Sequence, residues 1–160
     1  MIEDFGGKIA VLTGGASGFG LECARLGARM GMKLVLVDVQ ADALDRARAE
    51  LQGQGAQVWT RVTDVSNAED MQGLCQFVVD QVGVPHLVFN NAGVAAGGLV
   101  WENTLADWQW VLGVNLWGVI HGVRLFTPLM LQAAKTNPSY RGHIVNTASM
   151  AGLLTPPNMG

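Results

Sequence analysis

Charge is scarce along this 160-residue chain: acidic and basic residues together make up 14%, the net charge is −3, and no basic run occurs. Nucleic acids and anionic membrane surfaces attract proteins through clustered lysine and arginine, so neither is an expected partner. Cysteine is nearly as sparse. Cys23 and Cys75 lie far apart without C-x-x-C spacing, each inside a helical pattern, and read as reduced core thiols. His86, His121 and His143 stand singly, which argues against a metal site. The opening M-I-E-D-F lacks the basic and apolar regions of a secretory leader, and no segment reaches membrane-spanning length without polar residues. The expected setting is therefore the cytoplasm. Tyrosine occurs once, at Tyr140.

Apolar residues and glycine are plentiful, at 49% hydrophobic with 21 glycines, enough to build the core of one α/β domain spanning 1–160. The stretch V-L-T-G-G-A-S-G-F-G, Val11 to Gly20, is the most informative. An apolar run over Ile9 to Leu12 ends in the spaced glycines Gly14, Gly18 and Gly20, and a helical pattern of Leu21, Ala24 and Ala28 follows. Strand, tight turn and helix start bring free N–H groups and the positive end of a helix dipole to one point, where a pyrophosphate can sit. A glycine-rich turn without a ligand is the alternative.

Further βα steps follow in order. Lys33 to Val37 is a continuous apolar run of the kind seen in a strand covered on both faces, and it ends at Asp38, 18 positions beyond Gly20. A carboxylate there suits the adenosine ribose hydroxyls, though a strand-end or capping role is also open. Leu44, Ala47 and Leu51 mark a second helix with Asp42 and Arg46 on its outer face, and Gln57 to Val62 a third strand leading to Asp64-Val65. Ser66 and Glu69 have capping-box spacing ahead of Met71, Leu74, Val78 and Val82. Leu87 to Phe89 runs into Asn90-Asn91-Ala92-Gly93. Thr104 caps a long helix expected to run from Leu105 to about Ala134, with Trp108, Val111, Leu112 and Leu116 as its buried stripe and a kink at Pro128. His143 to Asn146 reads as a fifth strand, with Ser149 just past its end.

The T-G-x-x-x-G-x-G spacing from Thr13 to Gly20, followed by N-N-A-G and by V-N-L-W-G around Asn115, resembles the short-chain dehydrogenase/reductase family. The resemblance implies a Rossmann-like doubly wound parallel sheet, strand order 3-2-1-4-5, binding a nicotinamide dinucleotide. It implies cofactor contacts from Thr13, Gly14, Ser17, Gly18, Phe19, Gly20, Asp38, Asp64, Val65, Asn91, Ala92 and Gly93. Asp64 would meet the adenine amino group, with a turn cap as the alternative. The implied catalytic residues are Ser149, orienting the substrate oxygen, and Asn115, holding a relay water; a turn cap and a structural kink residue are the respective alternatives. A carboxylate at Asp38 would repel a 2′-phosphate, and neither Ser17 in the turn nor Val39 supplies the basic side chain seen in many phosphate-accepting relatives, which favours NAD over NADP. The implied substrate is a small-molecule secondary alcohol or ketone, and the parent protein is expected to be a homodimer or homotetramer.

The family's chemistry also requires a tyrosine with a lysine four residues later. Tyr140 precedes Ser149 and is followed at that spacing by Ile144, and only 11 residues follow Ser149. The chain thus matches the amino-terminal two-thirds of the family domain and stops within Pro-Pro-Asn-Met-Gly. Truncation of a longer enzyme is the expectation, with a deliberate fragment or a naturally shortened, non-catalytic NAD-binding or sensing module as alternatives.

Overall fold

In the computed structural model, which describes residue 2 and residues 4–154, the apolar runs form five parallel strands: β1 (Ile9–Thr13), β2 (Lys33–Asp38), β3 (Gln57–Val62), β4 (Leu87–Asn90) and β5 (His143–Asn146). Their order is β3-β2-β1-β4-β5. Helices α1 (Gly18–Arg29), α2 (Ala41–Gly53) and α3 (Ala68–Gln81) connect the first four strands, and α4 (Leu105–Leu112), a π-helical turn (Gly113–Trp117) and α5 (Gly118–Thr136) connect β4 to β5. This is the Rossmann-like parallel architecture that the alternation of strand and helix patterns implies.

Side chains alternate across a strand, so β1 and β2 feed two cores at once. Ala10, Leu12, Leu34 and Leu36 pack with Ala24 of α1 and with Leu44, Ala47 and Leu51 of α2. Val11, Val35 and Val37 pack on the other face with Met71, Leu74 and Val78 of α3 and Phe126 of α5. Leu34 through Val37 are fully buried, which explains why β2 reads as an unbroken apolar run. Each such side chain contributes about 1.5–3 kcal/mol by leaving water.

Order reverses at β1, which pairs with β2 on one side and β4 on the other. The connections leaving β1 and β4 therefore diverge to opposite faces and open a crevice at the carboxyl ends of these strands.

Several expectations need correction. Cys75 is buried, but Cys23 is exposed on α1. Asn67, not Ser66, caps α3: its Oδ1 accepts from the N–H groups of Glu69 at 2.8 Å and Asp70 at 3.2 Å. The Thr104 cap stands, with a reciprocal bond pattern to Asp107. The long helix runs from Leu105 to Thr136, with Pro128 inside it, and contains a π turn around Asn115. Trp108, Leu112 and Leu116 are exposed, because the helix closes on the described part of the protein through other positions, Gly113, Val114, Gly118, Gly122, Phe126 and Met130. By length and composition alone the same helix could cross a membrane; its Phe126 and Met130 are instead part of the sheet core. The closing Pro-Pro-Asn-Met-Gly stretch lies outside the described residues, as do Met1 and Glu3 of the opening segment.

Candidate functional site

The glycine turn takes its shape from backbone geometry. Gly14 and Gly18 have φ of +63° and +50°, where a Cβ is strained. A Cβ on Gly20 would run into the carbonyl of Gly14, so α1 can start this close to the turn only with glycine there. Ser17 is the N-cap of α1 but makes no side-chain capping bond, and the first turn carries no acidic residue. The opening N–H groups of α1 are therefore available to an external anion.

Two polar links fix this cradle to its surroundings. Asp38, at the end of β2, accepts from Ala16 N–H at 3.3 Å through Oδ2 and from Gln40 N–H at 3.2 Å through Oδ1. Thr13, only 3% exposed, accepts through Oγ1 from Asn91 N–H at 2.9 Å and Ala92 N–H at 3.1 Å, and donates to the Phe89 carbonyl at 3.3 Å. Asn91 returns a bond from Nδ2 to the Thr13 carbonyl at 3.1 Å and accepts from Thr147 Oγ1 at 3.2 Å. The turn after β1, the N-N-A-G segment after β4 and the start of the segment after β5 are thus one hydrogen-bonded assembly. Asn90 braces the sheet beneath it, donating from Nδ2 to Asn146 Oδ1 at 2.8 Å.

A cavity of about 670 Å³ opens over these strand ends. Gly14, Ser17, Gly18, Phe19, Asp38, Asp64, Val65, Asn91, Ala92 and Gly93 all line it. Thr13 and Gly20 lie buried behind its wall. The wall thus offers N–H donors at a helix N-terminus, carboxylates at strand ends and the apolar surface of Val65, groups able to meet an anion, hydroxyls and an apolar ring.

Some sequence-predicted residues have other partners. Asp64 lines the cavity and also closes a turn, its Oδ1 accepting from Ser66 N–H at 2.9 Å and Ser66 Oγ at 2.7 Å. Asn115 faces the loop after β4, with Oδ1 accepting from Val94 N–H at 2.9 Å and Nδ2 donating to the Val94 carbonyl at 2.8 Å. Ser149 is exposed and caps a 3-10 turn (Met150–Gly152), its Oγ accepting from Ala151 N–H at 3.1 Å. Neither Asn115 nor Ser149 is in the cavity wall, whereas Thr147, Val94, Val114 and Trp110 are. Sequence reasoning overlooked these four; for Val114 and Trp110 the usable signal was their spacing of four on the Asn115 helix.

Tyr140 sits at the opposite end of the sheet. It is buried, its hydroxyl donates to the Pro85 carbonyl ahead of β4, its ring packs on His86, and burial pushes its pKa up to about 12. Among the described residues no group of His, Cys, Asp and Glu side chains is placed to hold a metal ion.

A doubly wound parallel sheet with an uncapped glycine cradle and a carboxylate at the next strand end defines a Rossmann-type nucleotide-binding protein. The chain belongs to the short-chain dehydrogenase family, whose model matches residues 8–160. It is similar to a CLA biosynthesis dehydrogenase/reductase of Lactiplantibacillus plantarum, at 34% identity over 99% of this chain and 54% of that protein. It is also similar to a C alpha-dehydrogenase of Sphingobium, at 36% identity over 96% of this chain and 49% of that protein. A crystal structure of a short chain dehydrogenase/reductase from Burkholderia phymatum in complex with NAD superposes with a TM-score of 0.93, at 52% identity, covering 99% of this chain and 55% of that one. The chain therefore spans about half the length of the relatives it matches.

Proposed function

We propose that this chain is the cofactor-binding part, residues 1–160, of a short-chain NAD-dependent dehydrogenase or reductase that interconverts a small-molecule secondary alcohol and its ketone. The observation that carries the reading is the shared cavity of the uncapped α1 N-terminus and the Asp38 carboxylate. In it the glycine turn and α1 N–H groups hold the pyrophosphate, Asp38 accepts from the adenosine ribose hydroxyls, and Asp64 and Val65 border the base. Asn91, Ala92 and Gly93 flank the nicotinamide ribose. The carboxylate of Asp38 repels a 2′-phosphate and the neighbouring Val39 offers no positive charge, so NAD is preferred over NADP.

When bound, the nicotinamide supplies the hydride acceptor or donor. The chain's own contribution is positional: Ser149 orients the substrate oxygen, and Asn115 fixes the loop at Val94 and holds a relay water. The proton on the substrate oxygen needs a general base or acid, and no tyrosine here is followed at the fourth position by lysine. Residues outside this sequence supply that pair in the parent enzyme. The exposed apolar side chains of the Asn115 helix, Trp108, Leu112, Leu116 and Trp117, support assembly into a homodimer or homotetramer. Two free thiols support a cytoplasmic setting.

A non-catalytic NAD-binding module is the second reading, favoured by the placement of the sole tyrosine far from the cavity. Calorimetric titration with NAD tests the site: saturable binding that Asp38→Ala weakens about tenfold supports it, a loss of about 1.4 kcal/mol. Undiminished affinity in Asp38→Ala refutes the ribose assignment. Following NADH absorbance with a panel of alcohols then tests the division of labour, since turnover by the 160-residue chain contradicts the assignment of the acid–base pair to residues outside it.

A further inference from the structure

Trp110 lines the cavity although half of it, 51%, is exposed to solvent. The position of this indole is set by the contact between its helix and the loop after β3. Gly118 lies against Val65 and Gly113 against Ser66, each so closely that a Cβ would meet those side chains at 2.8 Å and 3.1 Å. The two glycines seat the helix directly along Val65-Ser66. Val114 and Trp110 are four residues apart, on the same side of that helix as Gly113, and both reach the cavity. Trp110 is thus one turn beyond the Gly113–Ser66 contact, at the rim of the cavity that also holds Asp38, Val39 and Gln40.

From this placement we infer that Trp110 is an adenine-binding residue, its indole forming an aromatic wall against the base whose ribose Asp38 holds. The inference rests on the dinucleotide reading above. An aromatic base entering between Val65 and the rim meets aliphatic carbon from Val65 and Val114 and one extended π surface from Trp110. Stacking on such a surface discriminates little among bases but contributes substantially to affinity, and here it also covers the base from water. Trp110 is therefore a specificity element for ligands with an aromatic base next to the ribose. The exposed aromatic neighbour Trp108, which is not in the wall of this cavity, has no part in it.

Calorimetric titration with NAD and with ADP-ribose tests this in the unaltered chain, in Trp110→Ala, in Trp110→Phe and in Trp108→Ala, with circular dichroism confirming that each is folded. Both ligands carry the adenosine, so Trp110→Ala weakens both by a similar factor, on the order of 5- to 100-fold. Trp110→Phe retains most of the affinity and Trp108→Ala all of it. Tryptophan fluorescence quenching by NAD decreases in Trp110→Ala. Equal affinity of Trp110→Ala and the unaltered chain overturns the inference while leaving the dinucleotide site intact. So does an equal loss in Trp108→Ala and Trp110→Ala, which assigns the effect to the helix. Absence of NAD binding by the unaltered chain overturns the dinucleotide reading itself, and the role of Trp110 falls with it.

Discussion

Asn115 and Val94 form a closed pair in which both polar atoms of the Asn115 amide bond to the main chain of Val94, at 2.9 Å and 2.8 Å. The pair clips the segment after β4 to the π turn of the long helix. An isolated amide in an apolar helix requires partners, and the main chain of the loop supplies them. Asn115→Ala removes both bonds and lowers stability by about 1 kcal/mol, or roughly 2–4 °C in melting temperature. Hydrogen exchange at the Val94 amide accelerates in the same variant, which separates loss of this clip from general destabilisation.

Thr13 gives a larger effect because its hydroxyl is buried and serves two N–H donors. Thr13→Val preserves shape but leaves the amides of Asn91 and Ala92 without that acceptor, at a cost of about 2 kcal/mol or more. Thr13→Ser keeps the hydroxyl and loses less than half as much. Urea unfolding midpoints of the two variants make the comparison.

At Gly20 the constraint is contact with the Gly14 carbonyl. Gly20→Ala forces α1 away from the turn, and the expected destabilisation is about 1–3 kcal/mol. NAD binding in calorimetry falls more than stability does, since the same shift displaces the helix N–H groups. Gly53, whose added Cβ would meet nothing within 4 Å, is the control: Gly53→Ala leaves both measurements close to those of the unaltered chain.

His86 introduces a pH dependence. Its Nδ1 accepts from Ile9 N–H at 3.3 Å, and burial, assisted by the positive charge of Lys8, lowers its pKa below the ordinary 6.5. The folded protein thus binds a proton less readily than the unfolded chain. The stability from this group is fully present above pH 6.5 and is lost as pH falls below that value towards the lowered pKa. His86→Gln retains an acceptor and cannot titrate, so its melting temperature falls less between pH 7.5 and 5.5 than that of the unaltered chain.

The strands, their order and the cradle were legible in the sequence because each rests on local information. Leu34 to Val37 is apolar without interruption since both faces of β2 are covered, and the glycine spacing after β1 records a backbone requirement. The same locality explains the misses. Trp108, Leu112 and Leu116 repeat at helical spacing, but spacing identifies a stripe without identifying what covers it. Ser66 and Asn67 are both capable caps, and their competition was decided by Asp64, which binds Ser66 and leaves Asn67 to α3. Trp110 was missed because it enters the cavity through two glycine contacts with a loop some fifty residues earlier, and nothing local to α4 reports them.

The cradle's preference for one dinucleotide is tested most directly by calorimetric titration of the chain with NAD and NADP under identical conditions. Saturable one-to-one binding of NAD, with NADP at least about tenfold weaker, is the predicted result, a difference of about 1.4 kcal/mol. Failure to bind either dinucleotide, or binding of NADP as tightly as NAD, contradicts the assignment of Asp38 and the glycine turn to an NAD site.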